Sequence, residues 1–179
     1  MIRNNYLRYT LELIVILGYL IIGVTVFTYT VHRVPMDNVF IGSIVFAIGV
    51  IEFTDFFTWK YLTRIRSIQS AFSALVCIAL GAVFIFIKMD MELLCILLGA
   101  NGINSSLART ITASLNLNRQ PLLNVIKIIL SLIEIVFSIL LIIRTLNSLY
   151  AHMVFIGVAL FLQTFTLVIE FIVHRYQRI

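Results

Sequence analysis

Five acidic residues of this chain lie inside long apolar runs: Glu12, Glu52, Asp55, Glu134 and Glu170. A carboxylate in a hydrocarbon environment costs several kcal/mol unless it is protonated, paired or bound to a ligand. Groups of this kind serve as proton relays, ion sites and ligand sites, so their depth matters. Glu134 falls near the middle of the run 122–143. Asn101 and Asn104 fall near the middle of the run 92–111, and Gln163 near that of 150–173. These four residues form a candidate polar core or ligand site, with Glu134 as the group that takes up a proton or binds a ligand. The alternative is a protonated Glu134 that only hydrogen-bonds neighbouring helices.

The other four acids fall within about two helical turns of a membrane boundary, where headgroup water and basic side chains are in reach. Asp55 with Lys60, and Glu170 with Arg175, are candidate structural ion pairs at helix exits. Lys127 can extend its ammonium to the boundary along its own aliphatic stem. His32 and His152 fall at the opposite boundary and are candidate pH-responsive groups, since imidazole changes charge in mildly acidic water. The plainer reading of both is a solvent-facing histidine.

Other chemistry has no signature. H-E-x-x-H, C-x-x-C, G-x-x-x-x-G-K and G-x-S-x-G are all missing. Three scattered histidines and two cysteines in apolar runs, Cys77 and Cys95, give no metal-ligand set. No cofactor is expected, and the cysteines read as buried free thiols. An intramembrane enzyme acting on lipid would need convergent carboxylates near the inner boundary, such as Glu52 with Asp55. No paired catalytic groups are visible, and a non-enzymatic protein is expected.

The elements that must position these groups follow from composition. Of 179 residues, 61% are hydrophobic and 12% charged, with mean hydropathy +1.09. Soluble domains are about 25% charged, and a chain of this length has too little interior to hide so much apolar surface. The excess requires lipid. Six runs approach the roughly 20 residues that cross a bilayer: Leu11–Val31, Asn38–Thr58, Ile68–Ile87, Glu92–Ile111, Leu122–Ile143 and Tyr150–Val173. The fourth is the weakest, interrupted by Asn101, Gly102, Asn104, Ser105 and Ser106. Barrel strands would alternate over about ten residues, whereas these runs are continuous. The first run exceeds the 7–15-residue core of a signal peptide and reads as a retained helix.

Basic residues set the orientation. Ten lie on the side of both termini and the second–third and fourth–fifth connections, against Arg33, Lys88 and Arg144 on the other. Both termini are therefore expected in the cytoplasm. Apart from mid-span Tyr19, the tyrosines and the single Trp59 fall at the predicted boundaries, which agrees. The net charge of +5 is dispersed between apolar runs, so no nucleic-acid partner is expected. The expected fold is an all-α membrane protein: one transmembrane domain of six helices in three hairpins, roughly 9–60, 66–111 and 121–175.

The hairpins suggest an internal repeat. A shift of 115 residues places Val39-Phe40-Ile41-Gly42 on Val154-Phe155-Ile156-Gly157. It also places Asp55 on Glu170, Lys60 on Arg175, Tyr61 on Tyr176, and Gly23 on Ser138. The middle hairpin fits less well, although Gly81 and Gly99 keep nearly the spacing of Gly23 and Gly42.

In length, span number, cytoplasmic termini and glycines on facing helices (Gly18, Gly23, Gly42, Gly49, Gly81, Gly99, Gly157), the chain resembles the HdeD family of small bacterial inner-membrane proteins. The likeness covers nearly the whole chain but rests on soft patterns, and Glu134 matches no motif of the family. It implies a multi-pass protein of the bacterial cytoplasmic membrane, without enzymatic activity and linked to acid or envelope stress. A homo-oligomer or a membrane-protein partner is compatible with it. The chain resembles the substrate-binding subunits of energy-coupling-factor vitamin transporters in topology only, because Leu11–Val31 lacks their stripe of small residues. A small transporter, channel or transporter subunit built around Glu134 is the alternative function. A polar cavity at that residue would favour it.

Overall fold

The computed structural model describes residues 2–34, 37–59, 64–87, 91–118, 121–143 and 149–176; side chains are described within these ranges except for 2–5, 59, 64, 91, 149–152 and 173–176. Six α-helices account for nearly all of them: α1 Ile2–Val31, α2 Asn38–Trp59, α3 Arg64–Ile87, α4 Met91–Leu115, α5 Pro121–Ile142 and α6 Leu149–Tyr176. Five contain a stretch long and apolar enough to cross a membrane. The exception is α4, whose 25 residues are long enough but carry the polar run seen in the sequence.

Local chemistry sets several helix ends. The α1 helix closes with paired bonds from Arg33 N–H to the Thr30 carbonyl and from Val34 N–H to the Tyr29 carbonyl, 3.2 and 3.0 Å. This closure requires a left-handed residue, usually glycine, and here Arg33 adopts it with φ of 50°. Asp37 caps α2 by accepting the Phe40 N–H at 2.7 Å. Pro121 opens α5, where its missing N–H costs nothing.

The helices close into a ring in chain order, with α6 returning to α1. Neighbours are antiparallel throughout. Tyr9 meets Phe171 at one end of the α1–α6 pair and Phe27 meets Phe161 further along. The two helices of each expected hairpin do touch, as in the stacking of Tyr29 on Phe40. The most extensive contacts nevertheless lie elsewhere, between α2 and α3, α4 and α5, and α1 and α6.

Small residues explain that preference. A Cβ on Gly49 would lie 2.7 Å from the Ile78 nitrogen, and one on Gly42 3.0 Å from the Gly81 carbonyl oxygen. Between α4 and α5, a Cβ on Gly99 would lie 2.7 Å from the Ser138 carbonyl oxygen. Backbone meets backbone at these places, which is how helices associate where no aqueous driving force exists. The α1–α6 contact at Gly23 and Gly157 is looser, with 3.5 Å or more to the nearest atom.

The ring is polar inside and apolar outside. Among the described residues, 20 polar or charged residues are buried against 18 hydrophobic ones. Large hydrophobic side chains such as Ile14, Ile21, Phe72, Leu75 and Val136 face outward. Such an arrangement is stable only where the surroundings are themselves apolar, so the fold belongs in a bilayer.

Candidate functional site

Five helices place charged groups in the ring near the end that holds both chain termini. Arg66 on α3 donates to Glu170 on α6, and its Nε lies 3.8 Å from the Asp55 carboxylate on α2. Lys127 on α5 approaches the other Glu170 oxygen at 3.4 Å. Ser70 donates to Asp55 at 2.8 Å. Arg8 pairs with Glu12 at 2.9 Å, one turn apart on α1. Buried charges are retained only when paired in this way. The Lys60 and Arg175 side chains expected to hold Asp55 and Glu170 lie outside the described residues; the partner both acids share is Arg66.

A second cluster occupies the middle of the ring. Glu134 on α5 accepts from Arg109 on α4, with Nη1 2.9 and 2.7 Å from its two oxygens, and from Ser106 at 3.0 Å. Glu52 on α2 accepts from the Tyr19 hydroxyl on α1 and from Gln163 on α6 at 3.2 Å. Asn101 donates to Ser73 at 2.8 Å, and Gln69 to Ser105 at 2.7 Å, tying α4 to α3.

These groups surround a cavity of about 100 Å³. Its polar lining includes Glu52, Asn101, Ser106, Arg109, Glu134 and Gln163, with Leu98, Phe137 and Leu160 among its apolar walls. It has room for several waters or one small solute. A smaller space of about 40 Å³ lies toward the termini, lined by Arg66, Arg109, Asn116, Asn124, Lys127 and Glu170 among others. Arg109 borders both spaces.

Of the four residues expected to share one polar core, three line the central cavity. Glu134 takes Arg109 and Ser106 as its bonded partners, while Asn101 and Gln163 bond Ser73 and Glu52. Asn104 is exposed on the opposite face of α4 and is separate from the cavity. His32 is exposed in the turn after α1, and the His152 side chain lies outside the described residues. Cys77 and Cys95 are both buried free thiols, and Cys77 lines the cavity.

Three important residues escaped the sequence reading. Arg109 reads as a boundary cation until α4 is seen to continue to Leu115, which draws it inward. A signal was present: Gly102, Ser105, Ser106 and Arg109 repeat at helical spacing on one face. Glu52 reads as a boundary acid, and Tyr19 as the one mid-span tyrosine without a role. Their pairing joins residues 33 positions apart, which no local pattern reveals.

Among the described residues, no three His, Cys, Asp or Glu side chains converge as metal ligands. The chain matches no protein-family model, no curated protein and no solved structure.

Proposed function

We propose that this chain is a small six-span transporter, channel or transporter subunit of the bacterial cytoplasmic membrane, with both termini cytoplasmic. In this reading it performs no covalent chemistry and binds or passes a small polar solute through its central cavity. The carrying observation is the cavity itself: paired and unpaired polar groups from four helices converge inside a ring whose exterior is apolar. A structural core would be expected to fill that space with side chains. A second, cation-lined space toward the terminal end shares Arg109 with the cavity and supports a polar route to the middle.

In this proposal α4 is the sixth span. Its polar side chains Asn101, Ser105, Ser106 and Arg109 line the interior, while Leu93, Leu107, Ile111 and Leu115 face outward. Three hairpins related by a parallel repeat complete the proposed architecture. Gly42 packs on Gly81 and Gly99 on Ser138, while across the looser pair Gly157 meets Val26 first, with the Gly23 carbonyl oxygen 4.0 Å from its Cβ position. Successive members of each series stand 57 or 58 residues apart. The stress-linked role rests on the HdeD resemblance and has no geometric counterpart.

Reconstitution of the full chain in liposomes, with proton and small-solute fluxes measured, tests the proposal. Flux should exceed that of protein-free liposomes and fall at least tenfold in Glu134→Gln. Wild-type vesicles as tight as empty ones, or unchanged flux in a folded Glu134→Gln protein, would retire it.

A further inference from the structure

Charge and hydrogen-bond accounting around the central cavity specifies what it would hold. Three charged side chains line it: Glu52, Glu134 and Arg109. Arg109 and Glu134 neutralise each other through direct contact. Glu52 is buried, yet among the described residues it makes no salt bridge. Both hydrogen bonds to its carboxylate end on Oε1, which leaves Oε2 without a protein donor.

Asn101 adds a second open acceptor. Its amide nitrogen is engaged by Ser73, with Cys77 Sγ at 3.5 Å. Its Oδ1 is buried and has no partner among the described residues. An unsatisfied buried acceptor costs about 1–3 kcal/mol, so the Asn101 oxygen calls for a donor or a cation in the polar space that it shares with Glu52. The lining carries one uncompensated negative charge, which matches a single positive charge. A divalent ion would leave a net positive charge beside the single uncompensated carboxylate, whereas calcium sites supply six to eight oxygens, carboxylates among them. An anion has no free cation there, because Arg109 is already committed to Glu134.

We propose that the central cavity binds a small monovalent cation between the Glu52 carboxylate and the Asn101 amide oxygen. This names the solute class for the cavity and rests on its reading as a solute site. Ser105 and Ser106, which also line the space, place further hydroxyl oxygens around it. The volume of about 100 Å³ leaves room for a cation with part of its hydration shell.

Thermal unfolding of the purified full chain in detergent provides the test. Chlorides of lithium, sodium, potassium and ammonium are compared with N-methylglucamine chloride at constant ionic strength. A ligand that binds only the folded state stabilises it by RT ln(1 + L/Kd), where L is the free ligand concentration, so the midpoint climbs with the logarithm of concentration above Kd. At least one small cation should raise it by several degrees in a concentration-dependent way, and Glu52→Gln should remove that shift. Asn101→Ala should weaken the apparent affinity at least tenfold, and it decides the matter should Glu52→Gln fail to fold. Wild-type protein that does not distinguish any small cation from N-methylglucamine would overturn the proposal. So would a shift that survives intact in either folded variant. Cation-dependent stabilisation in vesicles that show no flux would keep the cation site and remove transport. Flux without any cation-dependent shift would do the reverse.

Discussion

Arg109 and Glu134 illustrate how a charge is kept in the middle of an apolar ring. Each is buried, and each is the other's direct partner. Removing one partner strands the other, at a cost of about 3–5 kcal/mol for buried pairs. Arg109→Gln should therefore destabilise the protein by about that amount. The double variant Arg109→Gln with Glu134→Gln should recover most of the loss, as measured by unfolding in detergent. Additive losses would show that the two side chains are not coupled. Arg66 should be costlier still, because Asp55 and Glu170 both face it; Arg66→Gln should lower the folded yield below that of Arg109→Gln. At this scale the sequence was partly legible. Glu134 is conspicuous because it is an acid in mid-run. Its partner is not, because the arginine that neutralises it lies near the far end of a different helix, 25 positions away. Depth along one run can be read from sequence, whereas the azimuth that decides which groups meet comes from packing.

Helices were the most legible level, since continuous apolar runs of this length leave little else to form. Their ends moved outward where polar residues continue in helical conformation, as in α4 from Ile111 to Leu115. Their closest partners were less legible. Short outer connections predict the hairpin pairs, but the tightest contacts follow the glycines. Gly49→Ala and Gly81→Ala should each cost about 1–3 kcal/mol, because backbone atoms occupy the space a Cβ would need. Gly157→Ala should be nearly neutral, since its surroundings stand at ordinary contact distance. Unfolding midpoints of the three variants in one detergent would rank them. Equal losses at all three sites would contradict the packing account.

At the scale of the whole molecule, the inversion of polarity unites composition with structure. The 12% of residues that carry charge are few, yet they supply Glu12, Glu52, Asp55, Arg66, Arg109, Glu134 and Glu170 to the buried interior. In the proposed repeat, Glu52 and Arg109 stand at corresponding positions 57 residues apart, and Tyr19, Cys77 and Glu134 at another set. Under that proposed repeat, one position would carry opposite charges in two hairpins and leave the cavity asymmetric. The proposed topology also has a direct readout: a fluorescent protein fused to the C-terminus should fluoresce, and a phosphatase active only outside the cytoplasm should stay inactive. In this proposal water and small ions reach the middle of the ring. Cys77 and Cys95 are equally buried at 1% exposure, but only Cys77 lines the cavity. Reconstituted protein can be pulsed with silver ions, then unfolded and alkylated, with each thiol quantified by peptide mass spectrometry. The account predicts rapid protection of Cys77 by silver while Cys95 remains fully alkylated. Equal protection of the two thiols, or none at either, would contradict it.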